Sequence, residues 1–158
     1  MPILKILGVI LIFGAGVAAA ESYILFEKKK IAVLDGWTDL IRYIRLQIDC
    51  FLMPLPEILA GADRALLSAC NCERREKSLC GVYRSSQRYL DRDSRRLLCS
   101  FLREIGSGYR EEQLRRCDHY IASISSVRAR RAEEFPARRR ITVAICLCSA
   151  AFAAILLW

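Results

Sequence analysis

Eight cysteines stand in 158 residues, and Cys70-Asn71-Cys72 with Cys80, or Cys117 with the lone His119, are of the types that bind zinc. Structural zinc draws its ligands from two pairs at C-x₂₋₄-C-type spacing. Here a single C-x-C lacks a second pair, and the histidine lies two residues from a cysteine on a stretch that reads as helix, so no metal is expected. The adjacent acids Glu111-Glu112 and Glu133-Glu134 could serve acid–base chemistry, but both pairs sit among arginines on expected helix faces, where carboxylates are solvated or ion-paired. No P-loop, dinucleotide glycine fingerprint, HExxH or G-x-S-x-G elbow occurs. The chain therefore reads as non-enzymatic, without a cofactor. Arginine-rich stretches from Arg84 to Arg96, Arg110 to Arg116 and Arg128 to Arg140 have the chemistry to meet phosphates. Interleaved Glu and Asp dilute their field, so apposition to anionic lipid is preferred, an acidic protein partner comes second and nucleic acid last.

The elements that carry these residues follow from a sharp partition of charge. The formal net charge is +8 and 54% of residues are hydrophobic, yet all 17 acidic residues and all basic ones except Lys5 lie between Glu21 and Arg140. Ile141 to Trp158 is uncharged and follows directly on Arg138-Arg139-Arg140, which reads as a C-terminal transmembrane helix with Trp158 at the far interface. Ile6 to Ala20 is likewise uncharged and extends toward Phe26, but its length also suits a signal peptide with Ala18-Ala19-Ala20 as a cleavage site. An uncleaved anchor is preferred, because Lys28-Lys29-Lys30 follow the segment. Basic flanks stay cytoplasmic, so the predicted topology is a hairpin: a span over 1–26, a cytoplasmic domain over 27–140 and a span over 141–158. Gly14, Gly16, Ala18 and Ala20 in the first span, with Ala150 and Ala154 in the second, are small residues that permit close helix packing.

Between the spans, Leu34, Trp37, Ile41, Ile44, Ile48 and Phe51 form one apolar stripe at helical spacing, with Asp35, Asp39, Arg42, Arg45 and Asp49 mostly on a solvated face. Met53-Pro54-Leu55-Pro56 ends that helix. A second helix is predicted from Pro56 to Cys70 with Ile58, Leu59, Ala62, Leu66 and Ala69 inward. A third contains Val82, Tyr83, Tyr89 and Leu90, and a fourth Leu97, Leu98, Phe101, Leu102 and Ile105, broken at Gly106-Ser107-Gly108. The last runs from Arg110 to Phe135 with Leu114, Cys117, Ile121, Ile124 and Val127 inward, before Pro136 starts the second span. No strand pattern competes, and the fold class is all-α: a cytoplasmic helical bundle held between two membrane helices. Cysteines in such a domain are free thiols acting mostly as small hydrophobes.

This order of parts resembles the stage III sporulation protein AB family. The resemblance rests on Leu4-Lys5-Ile6-Leu7-Gly8, on Pro54-Leu55-Pro56, on Phe101-Leu102-Arg103-Glu104-Ile105-Gly106, on Gln113 and on the terminal span. Where the family usually carries an acidic residue after the turn, this chain has Tyr109. The resemblance implies a platform or scaffold subunit of the secretion-like channel between mother cell and forespore, in the mother-cell membrane. It also implies similarity to the cytoplasmic domain of type II secretion inner-membrane platform proteins. The expected partners are a cytoplasmic secretion-type ATPase and other channel subunits, with self-association as a further mode. Docking is placed on the exposed connections between helices, at Glu57, Asp63, Arg64, Arg74, Arg75, Gly106, Gly108, Tyr109 and Arg110. Two readings of other classes stand beside it: an exported cysteine-rich binding domain with a cleaved leader and a C-terminal anchor, and a membrane-tethered nucleic-acid binder.

Overall fold

Between Pro2 and Pro54 no proline interrupts the chain, and in the computed structural model the two helices expected there are one, α1 (Pro2–Phe51). The structure describes residues 2–51, 53–73, 76 and 78–157, the side chains of 2–6, 154, 156 and 157 excepted. Every regular element among them is helical: α2 (Leu55–Ala60), α3 (Arg64–Ala69), α4 (Leu79–Ser86), a 3₁₀ turn (Gln87–Tyr89), α5 (Arg92–Glu104) and α6 (Arg110–Leu157). The all-α class holds. The chain divides into two compact units, one of residues 1–28 with 132–158 and one of residues 29–131.

In the first unit, the α1 segment approaches the α6 segment closely where small residues allow it. A Cβ on Gly16 would lie 3.2 Å from the Ala150 Cβ and 3.4 Å from the Cys146 carbonyl oxygen, while one on Gly14 would meet nothing within 4 Å. Ala20 and Ala150 are buried. Gly16 and Ala150 therefore make a contact of the kind anticipated from small-residue spacing, whereas Gly14 and Ala18 are exposed; the side chain of Ala154 and Trp158 lie outside the described residues. Large apolar side chains elsewhere on both segments are exposed, among them Leu7, Ile10, Leu11, Ile145, Phe152 and Ile155. Among the described residues, one helix is long and apolar enough to cross a membrane, the 45-residue stretch Leu7–Phe51, and only 6% of its most apolar window is buried. At Pro136, the expected entry to the second span, the last helix continues. Proline removes one backbone donor and crowds the preceding turn, at a cost of ~3 kcal/mol in a helix interior. α6 nevertheless passes through it, flanked on both sides by alanine and arginine, which favour helix.

The second unit is built on the stripe of α1. Leu34, Trp37, Ile41, Ile44 and Ile48 are buried, joined by Val33 and Leu40, whereas Phe51 lies past the end of the core and is exposed. The Trp37 indole N–H donates to the Ser86 hydroxyl at 3.0 Å, fastening α1 to the end of α4. Gly36 lets the chain pass directly over α1: a Cβ there would stand 2.5 Å from the Ala69 carbonyl carbon. The predicted second helix is two short ones. Its register breaks at Gly61-Ala62-Asp63, where Asp63 caps α3 by accepting from the Ala65 N–H at 3.4 Å. After that break Leu67, Cys70 and Cys72 turn inward, Leu66 is half-buried and Ala69 is exposed. α5 buries Leu98 and Phe101, and α6 buries Cys117, Tyr120 and Ile124, with Phe101 and Tyr120 packed edge to face.

The charges flanking the stripe are not merely solvated. Arg128 meets Asp35 at 2.9 and 3.2 Å, Arg45 meets Asp118 at 2.6 and 3.1 Å, and Arg110 donates to both the carboxylate and the carbonyl of Asp49. Partner numbers fall along α6 as they rise along α1, so the two helices run antiparallel, registered by acid–base–acid on one and base–acid–base on the other.

Candidate functional site

The chain must turn twice at the end of the second unit where α1 stops and α6 starts. In the first turn, Pro54 takes an extended conformation that caps α2, and its carbonyl accepts from the Glu57 and Ile58 N–H groups at 3.0 and 3.2 Å. Pro56 opens α2 at a position where the missing N–H costs nothing. The second turn runs from Ile105 to Tyr109 and requires glycine, since Gly106 and Gly108 have φ of +87° and +97°.

That second turn is tied down from α6. Gln113 donates to the Gly108 carbonyl at 3.2 Å. Arg116 donates to the carbonyls of Glu104 and Ser107 and pairs with Glu112 at 2.6 Å. Arg110 is locked onto Asp49, which joins the turn to the last helical turns of α1. Tyr109 is left at the tip, 87% exposed.

The two turns meet. Ile48, Met53, Pro54, Leu55, Pro56, Ile58, Gly106 and Gln113 line a common groove of about 400 Å³. Leu46, Phe51, Met53 and Tyr109 are large apolar side chains exposed on this part of the unit. Such side chains beside a formed groove are what a protein contact would cover.

Of the residues singled out from sequence, Gly106 lines the groove, Gly108 and Tyr109 shape the turn beside it, and Glu57 is exposed in the first turn of α2. Arg110 belongs to the same turn, but its charge is spent on Asp49. Asp63 and Arg64 are exposed at the α3 cap and do not line the groove. Arg74 and Arg75 lie outside the described residues. Ile48, Met53 and Leu55 were not anticipated as site residues; the Pro-x-Pro turn next to them was the signal, since a chain reversal exposes its apolar neighbours.

The groups with catalytic or metal-binding chemistry are placed elsewhere. Cys70, Cys72 and Cys117 are buried in the core, and burial pushes the thiols of Cys70 and Cys117 up to about 12 and about 11. All eight cysteines are free thiols. His119 packs edge to face on Tyr120. Glu112 and Glu134 are each paired with an arginine one turn on. Among the described residues no group of three or more His, Cys, Asp or Glu is arranged to hold a metal ion. Compared with protein-family models, with curated proteins and with solved structures, the chain matches none.

Proposed function

We propose that the chain is a non-enzymatic membrane platform subunit of a secretion-like complex, of the kind formed by the stage III sporulation protein AB family. The observation that carries this reading is the groove, because it joins Pro54-Leu55-Pro56 with Gly106 and Gln113, two sequence-distant segments on which the resemblance rests. The apolar, almost fully exposed first segment of α1 supports anchoring at a membrane. In this proposal the uncharged end of α6 is a second, antiparallel span, the helical unit between them faces the cytoplasm, and its helices form the bundle that presents the groove. A cytoplasmic secretion-type ATPase docks there, with Phe51, Met53 and Tyr109 supplying apolar contact and the tethered turn supplying a fixed shape.

The test is site-specific photo-crosslinking in sporulating cells, with the photoreactive residue at position 109 and, as comparison, at position 64. The proposal expects a crosslink to the ATPase from position 109 and little from position 64. Equal yields from both positions, or none from 109 while the protein is present in the membrane, would remove the groove as the docking site.

A further inference from the structure

A second groove, of about 640 Å³, lies where the 3₁₀ turn meets α5 and is lined by Leu90, Asp91, Arg92, Arg95, Arg96 and Cys99. Its one acid is already committed: Asp91 accepts from the Ser94 N–H at 3.2 Å and is paired with Arg131. Arg95 is fixed in place, donating to the carbonyls of Leu90 and Gln87, both at 2.9 Å. Neutral carbonyls orient a guanidinium without cancelling its charge. Arg92 and Arg96 are exposed and form no ion pair or hydrogen bond among the described residues. Three positive charges thus line one open depression, with the half-buried Cys99 beside them. Neighbouring charges of one sign raise the local potential, and guanidinium forks match phosphate oxygens in pairs.

The position of this groove selects the source of phosphate. Arg130 approaches Asp93 at 3.8 Å, Arg131 pairs with Asp91, and the Lys29 ammonium lies 5.4 Å from the centre of the Tyr89 ring. The groove is therefore at the end of the unit from which α1 and α6 continue into residues 1–28 and 132–158. Lys29 is three residues from Phe26, where the apolar stretch ends.

We propose that this groove holds the phosphate of an anionic phospholipid headgroup, with Arg92 and Arg96 as its ligands and Arg95 as a fixed charge behind them. The half-buried Cys99 then lies beside the glycerol. The proposal rests on α1 as a membrane anchor but not on ATPase docking. It gives the unit a lipid-dependent orientation at the membrane surface, separate from the groove that faces a protein partner.

Cys99 is a built-in reporter, with the exposed Cys50 and Cys80 as references. The full chain is placed in nanodiscs of phosphatidylcholine alone or with phosphatidylglycerol, and labelling by the neutral reagent N-ethylmaleimide is followed by mass spectrometry. Cys99 should label several-fold more slowly in the anionic discs, with Cys50 unchanged. Each arginine near an anionic surface is worth about fivefold in headgroup affinity, so R92S/R96S should abolish the protection. R64S/R103S, which removes the same charge elsewhere, should keep it.

Equal Cys99 labelling in the two discs, or protection that survives in R92S/R96S, would overturn the proposal. Protection produced by inorganic phosphate in phosphatidylcholine discs would overturn the lipid source. A chain that does not enter the discs at all would instead remove the anchor reading on which the proposal stands.

Discussion

At one end of residues 29–131, Phe51, Met53 and Tyr109 are exposed around a groove, and the neighbouring charges Asp49, Arg110, Glu112 and Arg116 are paired with one another. About 30 Å away along the α1–α6 pair, Arg92 and Arg96 are exposed and unpaired while the acids near them, Asp91 and Asp93, are taken by Arg131 and Arg130. At the first end Arg110 and Arg116 are paired and large apolar side chains are exposed; at the second Arg92 and Arg96 are exposed and unpaired. A surface whose arginines are paired and whose large apolar side chains are uncovered suits a protein partner. A surface with surplus arginine suits phosphate. The overall charge of +8 is therefore a poor guide to function here, because what distinguishes the two ends is which arginines are paired and which are not.

The core common to both ends offers the largest disturbance. Trp37→Ala empties a fully buried site and removes the bond to Ser86, which should lower stability by about 4 kcal/mol. Denaturant unfolding of the chain in detergent measures this, and a loss under about 1 kcal/mol would show that α1 and α4 are not joined through Trp37.

Gly106→Ala with Gly108→Ala acts on the apolar end alone. Positive φ costs a residue with a Cβ roughly 1–2 kcal/mol, so the turn should distort and partner crosslinking from position 109 should collapse while Cys99 protection by anionic lipid persists. Loss of both readouts together would mean that the two ends are not separable.

Asp91→Asn acts on the basic end. Burial works to raise the Asp91 carboxyl, but hydrogen bonds from Ser94 and Arg131 outweigh it and hold it below its usual value of 3.8. A carboxyl lowered in the fold contributes stability above that value and loses it as pH falls through the lowered one. The parent should therefore lose this contribution in strong acid, while the variant, which keeps a capping oxygen but loses the ion pair with Arg131, is already weaker by up to about 1 kcal/mol at neutral pH and loses nothing further there. Parallel acid-unfolding curves would exclude the assignment. The smallest effect belongs to Arg45→Ala, whose pair with Asp118 is open to solvent and should matter by no more than ~0.5 kcal/mol.

The long helices were legible because their apolar residues recur over many turns: the α1 stripe and the inward residues of α6 lie where the spacing placed them, with Phe51 the exception. Residues 55–91 were harder. There each helix is only six to eight residues long, so a cap such as Asp63 or Ser78 outweighs periodicity, and Leu67 rather than Leu66 turns inward. The ion pairs between α1 and α6 could not be read from either helix alone, since the pattern exists only once the two are set antiparallel. Gly36 was silent for a similar reason: its close approach to Ala69 is a property of the fold. Of the docking candidates, the Gly106–Tyr109 turn was visible as a glycine-rich break, while the apolar wall from Ile48 to Leu55 was hidden in what reads as core and turn.

Under the proposed function, residues 29–131 lie on the cytoplasmic side of a membrane, held by the helices that continue from them. Cys50 and Cys80 are exposed on that unit, whereas Cys70 and Cys72 are buried and unsuited as probes. The direct measurement is labelling of a variant that retains only Cys50 and Cys80 with a membrane-impermeant maleimide, before and after the cytoplasmic membrane is permeabilised. A cytoplasmic unit gives labelling of both cysteines only after permeabilisation; labelling of either in intact cells would rule that placement out.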